Sequence, residues 1–410
     1  MKSKKNIYEL IFLSLIFFYV SVIFFTAQGT QNYDSWVLYI NLANTYGIID
    51  GYSFRVDTYP PLSTLIMKVF YDMLSFFNYE IFIIIKFVVI FFFYLSLLAI
   101  YFYSKSILLS VFFIITFLIS VMGMIDLDIV FAFFLILSLI ALKKKNILLF
   151  SIFYCISILI KWQPITIFPF LALYISEFNF SHLKLFKNLS FNKLFNLKNI
   201  MISSSVVFTF IIIFSLTYGF LPVAKSFNAA ISHNFTSGNA LNFNWIITWI
   251  LTVSDGSYSE QIIFRRINSE SPYYVYLGSL IFFIILVFLI FSFAKKENRN
   301  IEDVYYYCAL AFFALFTFNK GVHQNHLFAS ALLFFLLAIE NKKFLLHAVI
   351  TSGIFNFNLI IFYGINGSAS QGRMTPVYGI FDVSLIIASL NIFCFIYTFY
   401  LFLRKKHFLN

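Results

Sequence analysis

The residues able to do chemistry in this chain are few, because only 11% of its 410 residues are charged while 61% are hydrophobic. They are also unusually placed. Asp34 stands in Tyr33-Asp34-Ser35-Trp36 just after the first long apolar run, and Tyr59-Pro60-Pro61 follows. Asp126 and Asp128 lie in Met122-Gly123-Met124-Ile125-Asp126-Leu127-Asp128, between apolar stretches where an ionised carboxylate is costly without a partner or a wet cavity. Lys161 opens Lys161-Trp162-Gln163-Pro164, and His323 and His326 share the polar turn Asn319 to His326. A carboxylate that accepts the proton of an attacking hydroxyl speeds its reaction about 10²- to 10⁴-fold. Preplaced cations in a low-dielectric site stabilise a departing anion such as phosphate. Asp34 is the best-placed proton acceptor, and Lys161, His323 and an arginine among Arg265, Arg266 and Arg373 are the candidate partners of an anion.

Each of these residues also has a plainer reading. Asp34 or Asp128 would cap a helix N-terminus, and Lys161 would snorkel to the surface beside Trp162. His323 would serve a helix cap or a turn, and Arg265-Arg266 would be a solvated pair. Tyr33, Trp36 and Tyr39 offer ring faces to a ligand or form part of an interfacial aromatic belt. Trp245 and Trp249 read as anchors of an interfacial helix. The spacing of His323 and His326 suits a metal, but the Glu of a zinc-protease helix is missing, so no metal ligand is assigned. Cys155, Cys308 and Cys394 fall inside apolar spans and indicate neither a disulfide framework nor a zinc site.

The elements that must position these groups are membrane helices. A mean hydropathy of +0.90 exceeds what a soluble core requires. About twelve apolar spans of roughly 15–24 residues are predicted, at 7–27, 80–103, 106–122, 127–142, 146–161, 164–178, 199–219, 273–294, 302–318, 325–340, 344–363 and 380–403. The fold class is therefore all-α and polytopic, with 1–410 one integral-membrane domain. The N-terminus resembles a signal peptide, but Ile7 to Ala27 is long enough to span and Phe25 fits a cleavage site poorly, so it reads as an anchor. The net charge of +11 is spread in short clusters between spans, such as Lys143-Lys144-Lys145, which argues for topology signals and against nucleic acid. Most basic residues then fall on one side, taken as cytoplasmic together with both termini. The other side owns the long loops 28–79 and 220–272 and most of the acidic residues.

In the loop 28–79 one helix is expected after Asp34, ended by Gly47 in a left-handed conformation. A second is expected from Pro60-Pro61, capped by Thr58, with Leu62, Leu65, Ile66, Val69 and Met73 on an apolar face and Ser63, Thr64, Lys68 and Asp72 on a polar one. Both would lie in the membrane interface. No glycine-rich nucleotide motif occurs, and no inverted repeat is evident.

Taken together and in this order, these features resemble the GT-C superfamily of integral-membrane glycosyltransferases. They are an Asp after the first span, Tyr59-Pro60-Pro61-Leu62 opening an interfacial helix, Asp126 with Asp128, Lys161-Trp162-Gln163-Pro164, and the His323 turn. The nearest likeness is to glycosyltransferase family 87, the polyprenyl-phosphate-mannose-dependent mannosyltransferases. The resemblance implies a polyprenyl-phosphate sugar donor, a lipid or glycan acceptor, an active site on the outer face and transfer with inversion. It implies Asp34 as catalytic base, Asp126 or Asp128 as a second carboxylate, and Lys161 and His323 on the donor phosphate. Tyr33, Trp36, Tyr59, Gln163 and His326 would line the substrate site. No cofactor is required, although a divalent metal is left open; Gln324 stands where some relatives carry an acid, which weakens any metal role there. The alternatives are a transporter or flippase of lipid-linked sugars using Lys86, Asp126 and Lys161, and an oligosaccharide polymerase.

Overall fold

The computed structural model describes residues 2–30, 32–54, 59–178, 195–232, 237–254, 272–367, 377–378 and 381–407. Among these, seven helices are long and apolar enough to cross a membrane: Asn6–Thr26, Ile81–Ser104, Leu197–Tyr218, Tyr276–Lys295, Ile301–Phe318, Lys342–Tyr363 and Val383–Arg404. At 1.5 Å per residue, about 20 residues cover a hydrocarbon core ~30 Å thick. The protein is a helical, multi-pass membrane protein.

The five other apolar spans are helical but shorter. Ile147–Ile160, for example, has 14 residues and reaches only about 21 Å. The shortening has a local cause, since these helices end at polar junctions 124–127, 161–164 and 319–326. The residues singled out for chemistry are the ones that interrupt the spans.

The chain divides into two compact units. The first holds α1 (Lys2–Ile23), α2 (Asn32–Ser53), α3 (Pro61–Leu74), α4 (Ile81–Ser104), α5 (Ile107–Leu118), α6 (Asp128–Lys143) and α7 (Ile147–Ile160). To the second belongs α8 (Phe168–Ile175), while α9 (Leu197–Tyr218) and α10 (Phe220–Ile231) return to the first together with residues 363–367. The second unit continues through the two-residue strand β1 (Ser237–Gly238), α11 (Phe243–Ser254), α12 (Pro272–Lys295), α13 (Ile301–Phe318), β2 (Val322–His323), α14 (Phe328–Glu340), α15 (Leu345–Tyr363), the short strands β3 (Val377–Tyr378) and β4 (Phe381–Asp382), and α16 (Val383–His407).

In the first unit α6 and α7 form an antiparallel hairpin because their connection is only Lys144-Lys145-Asn146. Lys145 takes the left-handed conformation, and Asn146 caps α7 by accepting the Leu149 N–H at 3.1 Å. Ser157 ties the pair by donating to the Phe131 carbonyl at 3.0 Å. In the second unit α13 and α14 are packed on all sides, with Phe312, Phe313, Phe334 and Leu336 fully buried. An Asn300–Asp303 capping box starts α13.

Two local expectations need correction. Gly47 does leave the helical region, at φ 83°, but the chain resumes as helix to Ser53, so α2 is kinked there rather than ended. On α3 the polar residues Ser63 and Thr64 are buried and the apolar Val69 and Met73 are exposed. An outward surface that meets lipid has no need of a polar face, and a surface packed on protein can hold hydroxyls that are paired: Ser63 donates to the Pro60 carbonyl at 2.6 Å. Thr58, expected to cap α3, lies outside the described residues; Pro60 is the N-cap residue and Pro61 occupies the first turn, where a missing N–H costs little.

Candidate functional site

Among the candidates of the first unit, the structure brings Lys161 and Asp128 into direct contact. Lys161 ends α7 in an extended conformation, Asp128 lies in the first turn of α6, and the ammonium donates to the Asp128 carboxylate as a buried ion pair. Each charge sits at the helix end whose dipole favours it, the cation at a C-terminus and the anion at an N-terminus. Lys161 is buried and does not snorkel to solvent, and Asp128 stands in the first turn of α6, one residue past the N-cap Leu127.

Asp126 is buried too. It accepts a hydrogen bond from the Ser120 hydroxyl at 3.1 Å, and its backbone N–H donates to the Ser120 carbonyl. A π-helical turn over Ile119–Gly123 widens the end of α5, and Ile125 is forced to φ 58°. For a β-branched residue that conformation is strained by about 1–3 kcal/mol, which the surrounding contacts must offset.

A narrow half-open cavity with room for about one water lies beside the ion pair, lined by Trp36, Tyr59, Ser63, Met67, Leu127 and Lys161 among others. Trp36 and Tyr59 meet edge to face with centroids 4.4 Å apart, and Tyr39 joins them at 5.2 Å from Trp36. Trp36 and Tyr39 are buried and so belong to no membrane-surface belt. The Trp36 indole N–H faces no acceptor among the described residues.

Asp34 is set apart from this group. It lies in the first turn of α2 and is exposed, whereas Trp36, Tyr39, Ile40 and Ala43 are buried. At 100° per residue, Trp36 points about 200° away from Asp34 around the helix. No described residue hydrogen-bonds or ion-pairs with the Asp34 carboxylate. Tyr33 packs on Phe82, centroids 5.0 Å apart, and Gln163 is half-buried at the start of the turn after Trp162.

The His323 turn lies in the second unit. Gly238 and His323 pair in the parallel β1–β2 ladder, and the His326 imidazole accepts the His323 N–H at 3.4 Å. Three asparagines that the sequence reading passed over hold this region. Asn244 donates to the carbonyls of Phe318 and Asn319, Asn242 to that of Phe316, and Asn358 to that of Gln324 while accepting the Leu241 N–H. Their signal in the sequence was a pair, Asn242 and Asn244, just before an apolar helix, and one Asn inside an apolar span. Trp245, expected at the membrane surface, is instead buried and donates to the Ser384 hydroxyl at 2.7 Å. Arg265, Arg266 and Arg373 lie outside the described residues. Among the described residues no group of three or more His, Cys, Asp or Glu could hold a metal ion.

No protein-family model matches the chain, and no curated protein sequence matches it.

Proposed function

We propose that the protein is a GT-C-type membrane glycosyltransferase. In this reading it moves a hexose, mannose in the first instance, from polyprenyl phosphate to an outward-facing lipid or glycan acceptor, with inversion. Twelve spans, cytoplasmic termini and an outer-face active site are part of the same reading. What carries it, beside the ordered motifs of the sequence, is the contrast among three carboxylates. Asp126 and Asp128 are buried and engaged, while Asp34 is exposed and unpaired among the described residues. A general base must be reachable by the acceptor hydroxyl and free to take its proton. Asp34 is exposed and has no partner among the described residues, which is what supports its assignment as that base.

The acceptor oxygen attacks the sugar's anomeric carbon as Asp34 takes its proton. The bond from that carbon to the phosphate oxygen breaks, and polyprenyl phosphate leaves with the electron pair. Lys161 is the proposed cation for that phosphate, since an ammonium has three donors and Asp128 takes one. In this account Asp128 holds Lys161 in place, and Asp126 keeps the role of second carboxylate. His323, Arg265, Arg266 and Arg373 remain phosphate contacts on the strength of the resemblance alone.

A transport pathway would need Lys86, Asp126 and Lys161 to line it, and each of them is engaged by protein groups. The test uses membranes containing the protein and radiolabelled polyprenyl-phosphate mannose. The wild type labels a lipid acceptor, and Asp34→Asn abolishes labelling while the protein still accumulates and melts normally. Normal labelling by Asp34→Asn would remove the assignment, and labelling from a nucleotide-sugar with no lipid intermediate would remove the family reading.

A further inference from the structure

Lys86 lies inside the membrane-spanning helix α4 and is only 3% exposed. An ammonium so placed demands strong partners. It has them at the end of α1, where it donates to the carbonyls of Phe25 and Ala27, both at 2.5 Å. These lie in and just past the 3-10 turn Phe24–Thr26, where helix carbonyls run out of intrahelical donors and the dipole is negative. The ammonium also sits over the Phe82 ring, 4.6 Å from its centroid, and Phe82 in turn packs on Tyr33.

In sequence, the segment 25–30 that Lys86 grips precedes the first turn of α2 by one residue. It is held on two further sides. Thr30 N–H donates to the Met124 carbonyl, Gln28 N–H to the Asn366 carbonyl, and Gly29 bridges Gly367. Three chain segments cross here at Gly29, Gly123 and Gly367, with no space for side chains. A Cβ on Gly367 would lie 2.4 Å from the Gly29 oxygen, and one on Gly123 would lie 2.3 Å from the Ile365 oxygen.

We propose that Lys86 is the positioning residue of the site: it fixes the crossing of 25–30 over 122–126 and 364–367, and through that crossing and Phe82 it sets where Tyr33 and Asp34 stand. The role of Asp34 in this statement rests on the glycosyltransferase reading; the clamp itself does not. Lys86 touches no reacting atom. Its effect is on the placement of α2's first turn, and misplacing a reacting group by about 1 Å costs on the order of 100-fold in turnover.

The experiment uses the full-length chain in lipid nanodiscs. Gln28→Cys and Asn366→Cys place a cysteine pair at exposed, backbone-bonded positions of the crossing, and the disulfide is read by mass spectrometry of the joined peptides. It is combined with Lys86→Met or Lys86→Arg, and transfer from radiolabelled polyprenyl-phosphate mannose is followed in parallel. The expected result is rapid crosslinking with Lys86 or with Lys86→Arg, and slow crosslinking with Lys86→Met. Turnover of Lys86→Met falls about 100-fold with the donor KM unchanged, and closing the disulfide restores it. Lys86→Gln, which keeps a donor but loses the charge, crosslinks more slowly than the parent, loses turnover that the disulfide restores, and serves if Lys86→Met does not accumulate. Equal crosslinking in Lys86→Met and the parent overturns the proposal, as does a turnover loss that the disulfide does not recover. Lys86-dependent crosslinking in a protein that transfers no mannose upholds the clamp and removes the glycosyltransferase reading.

Discussion

Removing the Lys161 ammonium should unfold the first unit more readily than removing both charges of its ion pair. Side-chain exposure is 11% for Lys161 and 3% for Asp128, so the carboxylate is the more deeply placed partner. In Lys161→Met the Asp128 carboxylate is left without its cation, and breaking a buried pair from one side costs about 3–5 kcal/mol. Asp128→Leu costs less, because the Lys161 stem can carry its charge toward the surface. The double variant Lys161→Met/Asp128→Leu removes the desolvation penalty together with the attraction and returns near the parent, as apolar replacement of buried pairs does.

The assay is the thermal midpoint in one detergent, followed by tryptophan fluorescence. At about 2–4 °C per kcal/mol for a body of this size, Lys161→Met lowers the midpoint by roughly 10 °C. The double variant recovers most of that loss. A double variant whose loss equals the sum of the two single losses would mean that the charges do not interact, and the reasoning from burial would be refuted. On the proposed function, the double variant, stable but lacking the cation, should still be slow on polyprenyl-phosphate mannose.

Three further outcomes follow from the packing. Gly123→Ala puts a methyl 2.3 Å from the Ile365 carbonyl and should prevent normal accumulation in the membrane, as seen by quantitative blot. Gly353→Ala, with no atom within 4 Å of the new methyl, should be tolerated and raise the midpoint slightly, since Ala is favoured over Gly within a helix by about 0.5–1 kcal/mol. Trp245→Phe removes the hydrogen bond that the indole N–H donates to the buried Ser384 hydroxyl and should cost about 0.5–1.5 kcal/mol in thermal melts.

What the sequence made legible follows from how each force is encoded. Membrane insertion is written in composition, and among the described residues each predicted apolar run holds a helix. The break at Gly47 was legible because a positive φ selects glycine. The sidedness of α3 was not, because a helical wheel assigns its polar face to water, whereas Ser63 and Thr64 turn toward protein. Trp245 misled for a related reason. An aromatic near a span end suits the interface, yet its N–H found the Ser384 hydroxyl inside the second unit. The partner of Lys161 lies 33 residues away in sequence, and that of Lys86 is a pair of carbonyls, which carry no signature of residue type at all.

Three buried charges that the structure explains set off the exposed Asp34. Lys86 meets the carbonyl end of α1, Asp128 the amide end of α6, and Lys161 the carbonyl end of α7. Each is settled where a helix terminus offers the opposite partial charge, so their burial in an apolar chain needs no catalytic reason. Asp34 also sits in a first turn, where the dipole favours it, but that accounts only for its helix and not for its company. Beside it Tyr33 packs on Phe82, Phe82 lies under Lys86, and in the crossing behind them Gly29, Gly123 and Gly367 leave no room for a Cβ. A surface carboxylate whose only task was solubility would gain nothing from such a rigid mount. A base that must meet a hydroxyl within a fraction of an ångström would. On the glycosyltransferase reading the junction and the exposed carboxylate form one device, and loosening the junction while leaving Asp34 intact is the perturbation that separates it from an ordinary helix start.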